Sequence, residues 1–269
     1  MINVPERFRP HINVAYPPGN NLIFEEWFYQ NHEGGIGDRV YLPIFWTSYY
    51  VNNNYGNDKE AMNALSVYLQ DLPRDKKYFT IVQYDDGIMN NIDGLDILQF
   101  SMSKKIGYEL PLLCQPQPYE FSNSKLWFSN FIGNKTHPIR EYAEGMKKFG
   151  RHYISYDQHP IEKYCEIISK SLFTLCFRGY GANSFRIQEA IQYGSIPVYI
   201  SDEFIVPHGL DFNEYGVLID AKDAGRIDEI LIKIPHDEVV KKQNKLQEIY
   251  DEYYTYEGNL LQIIRHLAK

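Results

Sequence analysis

Apolar and polar positions change rhythm about halfway along the chain. From residue 126 onward, short apolar runs alternate with stretches of helical spacing. Residues 126–132 (LWFSNFI), 151–156 (RHYISY), 172–177 (LFTLCF), 196–201 (IPVYIS) and 215–219 (YGVLI) read as strands. Residues 138–149, 161–171 and 184–194 carry the helical pattern between them. Parallel strands need long crossovers, so this order predicts an α/β fold with a doubly wound parallel sheet. The first half is less regular: residues 39–50 (RVYLPIFWTSYY) and 78–84 (YFTIVQY) read as buried strands, with a helix over 59–72 between them. The proline-punctuated stretch PLLCQPQPYEFSNS reads as a connection, giving domains at 1–121 and 122–269. The charged helical stretch 237–269 is expected to break at Gly258 and to return across the first half.

Length and composition narrow the function classes. A chain of 269 residues, 44% hydrophobic and 23% charged, can bury two compact cores. Its 27 basic and 35 acidic residues leave a formal charge of -8, the wrong sign for a nucleic-acid binder. No window reaches the ~20 apolar residues of a membrane span, and the N-terminal stretch is not that of a signal peptide. The expectation is a soluble, cytoplasmic chain. Cys114, Cys165 and Cys176 have neither metal-ligand spacing nor a disulfide pattern, so they read as reduced core thiols. The 23 tyrosines suit stacking on sugars or bases, although tyrosine also fills cores.

Ligands of open parallel sheets bind beyond the carboxyl ends of the strands. The loop RGYGANS, residues 178–184, opens there. Gly179 and Gly181 allow close backbone approach around Tyr180, and Asn183 and Ser184 are favourable N-cap types. Amides at a helix start with the Arg178 guanidinium make an anion site, and Glu189 on the same helix suits ribose hydroxyls. These residues therefore outline a nucleotide-diphosphate site. Arg186 with Glu189 also fits an ordinary i,i+3 pair on a helix. Lys135 and Arg140, flanking a helix start, are placed to reach phosphates; Tyr156 is a candidate for base stacking, and Asp202 for holding Arg186 or opening a turn.

The stretch LFTLCFRGYGANSFRIQEAIQYGSIPVYISDEFIVP resembles the C-terminal signature of the exostosin-like glycosyltransferases, with FIGNKTHPIR similar to the family's earlier glycine-containing loop before an arginine. In the first half, LIFEEWFYQ, YLPIFWTSYY and YFTIVQYDDG resemble the family loosely. The resemblance implies a GT-B-like plan of two Rossmann-like domains facing a cleft, acceptor domain first and donor domain second, with inversion at the anomeric carbon and a UDP-sugar donor. Carried over by position, Arg178 meets the diphosphate, Ser184 and Arg186 shape the donor pocket, and Glu189 binds the ribose. Gly133, Gly179, Tyr180, Gly181, Asn183 and Phe185 complete the expected donor set. Phe177 stands where the family often has proline.

An inverting transfer needs a general base from the acceptor domain. Asp85 and Asp86, expected at the end of the 78–84 strand with side chains on opposite faces, come first; as two aspartates before Gly87 they also fit a turn. Glu25, Glu26, His137 and His152 follow. No metal or other cofactor is expected. UDP-xylose or UDP-galactose ranks first among donors, and a glycan is the expected acceptor. Two rivals share the donor site: a nucleotide-sugar epimerase and an inactive carbohydrate-binding protein.

Overall fold

The computed structural model describes residues 2–14, 22–115 and 124–269 of the chain. They form two compact units, Met1–Gln115 with Tyr256–Lys269, and Pro116–Thr255. The sequence-derived boundary at 121/122 lies outside the described residues.

The first unit carries four parallel strands in the order β1 (Arg39–Tyr41), β2 (Lys77–Val82), β3 (Asp96–Ser101), β4 (Tyr108–Glu109). Helices α1 (Phe24–Asn31), α2 (Trp46–Asn52) and α3 (Lys59–Gln70) precede β2. The long strand expected over 39–50 is thus three residues of strand followed by a helix. Pro43 follows β1, and α2 buries six of its seven residues, Trp46 through Val51. A helix buried on nearly every side needs no exposed polar stripe, so its spacing carries no helical signature. It is anchored to the sheet by Trp46 Nε1, which donates to Thr80 Oγ1 at 2.9 Å, while Thr80 Oγ1 donates to Leu42 O at 2.9 Å. α3 begins where Asp58 accepts the amides of Glu60 and Ala61, an ordinary N-cap.

The second unit is the doubly wound parallel sheet that the alternation predicts. Its strands are β5 (Trp127–Ile132), β6 (His152–Ser155), β7 (Ser171–Phe177), β8 (Ile196–Ser201) and β9 (Val217–Asp220), all parallel, in the order β6-β5-β7-β8-β9. The segment Pro138–Phe149 is 3-10 rather than α, opened by His137 and Pro138 and closed by Gly150 at φ 69°. Helices α4 (Ile161–Ser169), α5 (Arg186–Gln192), α6 (Ile227–Ile232) and α7 (His236–Tyr253) complete the unit. Because the chain steps from β5 to β6 on one side and then to β7 on the other, the order reverses between β5 and β7. That reversal opens a crevice at their carboxyl ends.

The predicted break at Gly258 falls at Tyr254–Thr255 instead. Gly258 is buried inside α8 (Tyr256–Leu267), which belongs to the first unit. There the Tyr256 hydroxyl donates to Leu22 O at 2.8 Å and its ring lies 5.3 Å from Phe24. All three cysteines are buried, and none is in a disulfide. Among the described residues, no helix is long and apolar enough to cross a membrane.

Candidate functional site

Three guanidiniums converge on the β5/β7 crevice, each from a different element. Arg186, first residue of α5, donates from Nε and Nη2 to Ile132 O at 2.9 and 2.6 Å, fastening the helix to the end of β5. It can do so because residue 133 is glycine: a Cβ there would meet Arg186 Nη2 at 2.1 Å. Arg140, from the 3-10 segment, is buried; its Nε donates to Arg178 O at 2.9 Å and its Nη1 to Asn134 O at 2.9 Å. It clamps the loop after β5 to the loop after β7. Both side chains lie over the Phe131 ring, with centroid distances of 5.9 Å for Arg140 and 5.2 Å for Arg186. Burial, and then the neighbouring Arg186, push the Arg140 guanidinium down to about 10, which leaves it charged at neutral pH.

Arg178 follows β7 directly. Its Nη1 pairs with Asp202 and its Nη2 donates to Tyr180 O at 3.1 Å. Among the described residues its Nε is buried without a hydrogen-bond partner, an unusual state for a charged donor. Asp202 therefore holds Arg178, not Arg186. The loop itself is pinned at Ala182, whose carbonyl accepts from Tyr199 Oη at 3.0 Å and Ser201 Oγ at 3.1 Å. Gly179 faces Arg140 Nη2, 3.1 Å from where a Cβ would sit, while Tyr180 is 75% exposed. Gly181 follows in the same bend.

Neither Asn183 nor Ser184 caps α5. The cap position is Phe185, already helical at φ -56° and ψ -26° with no side-chain cap bond, and Asn183 Oδ1 accepts the Ser184 amide at 2.8 Å. α5 is also only seven residues long. The anion-binding character of this corner therefore rests on the guanidiniums rather than on a helix dipole.

Glu189 is drawn to the same corner. Tyr164 Oη donates to its Oε2 at 2.6 Å, which leaves Oε1 without a hydrogen bond among the described residues. Burial pushes its carboxyl above the ordinary value, opposed by the charge of Arg186 and the Tyr164 bond. The Tyr164 contact was invisible in the sequence because the two residues lie on different helices. Lys135 sits on an exposed loop with Nζ 4.7 Å from the centroid of the Tyr156 ring. Lys147 lies 5.5 Å from that ring, and Tyr156 Oη donates to Arg140 O at 2.7 Å. A base stacking on Tyr156 would have to displace a lysine.

The base candidates divide sharply. Asp85 and Asp86 are not in strand: β2 ends at Val82, and the two aspartates form a turn in which the Gly87 amide donates to Tyr84 O at 2.9 Å with Gly87 at φ 71°. Asp85 is half-buried and Asp86 exposed. Glu25 is fully buried and accepts from the Thr47 amide at 3.0 Å, Thr47 Oγ1 at 2.8 Å and the Gln83 amide at 2.8 Å. Burial outweighs those donors and raises its carboxyl to about 7. Glu26 lies 2.8 Å from His11 Nδ1. His152 is enclosed between Ser129 Oγ at 2.8 Å and Asp228 Oδ1 at 2.9 Å. His137 stands in the second unit, where burial and the charge of Arg178 lower its pKa.

Comparison with known proteins comes to the same region. The exostosin GT47 domain matches residues 99–234. A probable glucuronosyltransferase of Oryza sativa subsp. japonica is 38% identical over 91 residues, 33% of this chain and 21% of that protein. A probable beta-1,4-xylosyltransferase of Arabidopsis thaliana is 35% identical over 91 residues, 33% of this chain and 22% of that protein. The chain thus spans about a fifth of the length of the curated relatives it matches. Among solved structures, a mutant of S. aureus TarM in complex with fondaparinux, alpha-GlcNAc-glycerol and UDP is 16% identical with a TM-score of 0.44, covering 78% of this chain and 47% of that one.

Proposed function

The chain belongs to the exostosin GT47 family, and from that premise we propose that it is a glycosyltransferase moving a sugar from a UDP-sugar to a hydroxyl of a glycan acceptor with inversion at the anomeric carbon. The observation that carries the reading is the cluster of Arg140, Arg178 and Arg186 at the strand-order reversal, in a chain whose formal charge is -8. Arg140 and Arg186 are held by neutral carbonyls, so their charge stays available to a diphosphate. Arg178 can exchange exposed Asp202 for a phosphate oxygen. Glu189 Oε1 is the acceptor for the ribose.

In the reaction the acceptor oxygen attacks the anomeric carbon as the bond from that carbon to the diphosphate oxygen breaks. The guanidiniums stabilise charge growing on the departing UDP. Asp85 or Asp86 in the first unit takes the acceptor proton. This electrostatic assistance comes from side chains, so turnover is expected to persist with excess EDTA; complete loss restored by manganese would contradict it. Xylose or galactose ranks first as the transferred sugar, and the relatives named for glucuronosyl transfer make UDP-glucuronate the competitor to include. Incubating each UDP-sugar with xylohexaose and β-1,4-galactotetraose, and following products by mass and anomeric NMR coupling, should give one extended, inverted product. Sugar-nucleotide conversion without acceptor would indicate an epimerase, and saccharide binding without turnover a binding protein.

A further inference from the structure

The turn after α2 adopts a backbone conformation that folding alone would not choose. Asn54 (φ 54°), Tyr55 (φ 55°, ψ 40°) and Gly56 (φ 77°) are three successive left-handed residues. Glycine adopts this region freely and asparagine tolerates it, but tyrosine does not. The turn is well tied: the Gly56 amide donates to Asn53 O at 3.1 Å, and the Asn57 amide and Nδ2 donate to Asn54 O at 3.1 and 2.8 Å. Its strained residue contributes nothing to the core. Tyr55 is 58% exposed, with no ring contact and no hydroxyl hydrogen bond among the described residues.

What surrounds Tyr55 is informative. Met89, 42% exposed, lies against Gly56, with Cε 2.7 Å from where a Cβ would stand. The thioether thus lies against the residue that follows Tyr55 in the turn. The Tyr84 hydroxyl reaches Tyr55 O at 3.5 Å, and Tyr84 immediately precedes Asp85. Asn54 and Asn57 of the same turn, and Asp86 three residues before Met89, are exposed as well and bring amides and a carboxylate to this surface. An open aromatic face with a polar rim matches a sugar ring, which presents C–H bonds on its face and hydroxyls at its edge. Strain held at an exposed aromatic beside a candidate base points to function rather than stability.

We propose that Tyr55, flanked by Met89, is a stacking platform for a neutral sugar ring of the acceptor, next to the Asp85–Asp86 turn. This rests on the reading of the first unit as the acceptor-binding half. It assigns acceptor affinity to a residue that takes no part in donor binding.

The test titrates xylohexaose and β-1,4-galactotetraose, each without nucleotide, into the wild-type chain and into Tyr55→Phe and Tyr55→Gly, with UDP titrated separately. Wild type should bind at least one oligosaccharide. Tyr55→Phe should stay within about threefold, and Tyr55→Gly should lose about tenfold, the scale of a lost ring contact. Glycine relieves the left-handed strain, so the Tm of Tyr55→Gly should hold or rise. UDP affinity should be the same in all three proteins. The platform is refuted if wild type binds neither oligosaccharide, if Tyr55→Gly binds like wild type, or if lost binding comes with a lowered Tm. Absent UDP binding alongside Tyr55-dependent saccharide binding would sink the donor reading alone and leave the platform standing.

Discussion

The two units close the carboxyl ends of their sheets with opposite charge, and each deals with that charge differently. Beyond β5 and β7, Arg140 and Arg186 are held mainly by backbone carbonyls, which satisfy donors but cancel no charge. Among the described residues, Arg178 is the one of the three in an ion pair, with exposed Asp202, while the charge of Arg186 also acts on the Glu189 carboxyl. Beyond β2, the buried Glu25 carboxyl meets three donors and no cation, so it retains its proton to about pH 7. An arginine cannot discard its charge in this way, because its pKa lies too high even when lowered. Accumulated positive charge in the second unit therefore calls for an anion from outside, whereas the first unit neutralises its buried charge internally.

The largest expected effect tests that internal neutralisation. The unfolded chain releases the Glu25 proton near the ordinary value of 4.5, while the folded chain holds it to about 7. Its contribution is therefore fully present below pH 4.5 and lost as pH rises through 7, amounting to roughly 3 kcal/mol for a shift of this size. Denaturant titrations of wild type and Glu25→Gln across pH 4 to 8 should show a difference that narrows as pH rises. The variant carries an offset, since its amide nitrogen opposes one of the three donors, but it has no titration in this window. A pH-independent difference would mean that folding leaves the Glu25 carboxyl at its ordinary value.

A somewhat smaller effect concerns proton removal. Whichever of Asp85 and Asp86 is the base should lose ~10²-fold or more in turnover when replaced by asparagine, with UDP affinity unchanged. If both variants react at nearly the wild-type rate, the turn is only a turn and the base must be sought elsewhere. Within the second unit, Glu189→Gln should weaken UDP binding by roughly 1 to 3 kcal/mol, the scale for hydrogen bonds to a charged group. An unaltered UDP affinity with a lowered Tm would instead make Glu189 a structural partner of Tyr164 alone.

Legibility in the sequence followed the same division. The second unit was readable because its strands are short and apolar and its connections punctuated, so LFTLCF before RGYGAN located both β7 and its loop. The Arg178 region was visible as chemistry, yet its wiring was not. Arg186 reaching Ile132 O depends on the missing Cβ at Gly133, and Asp202 answering Arg178 depends on how β8 lies beside β7. Such contacts are set by strand order, which periodicity does not encode. The first unit was less readable because α2 is buried nearly all round and resembles a strand, and because β3 and β4 follow β2 without a patterned helix between them. Asp85 and Asp86 were placed at the end of a strand for a related reason: Tyr84, two residues beyond Val82, continues the apolar alternation after β2 has ended.

The central claim, an anion site organised around Arg178, is tested most directly by calorimetric titration of UDP into the wild-type chain and Arg178→Gln. Glutamine preserves bulk and some hydrogen bonding but removes the charge. The account predicts weaker UDP binding by about 1.5 to 3 kcal/mol, the scale of a charge-assisted hydrogen bond. The loss should shrink as salt is raised, while the Tm without ligand stays close to wild type because Asp202 is exposed and can be solvated. Equal UDP affinity in the two proteins, or no UDP binding by the wild-type chain, would contradict the account.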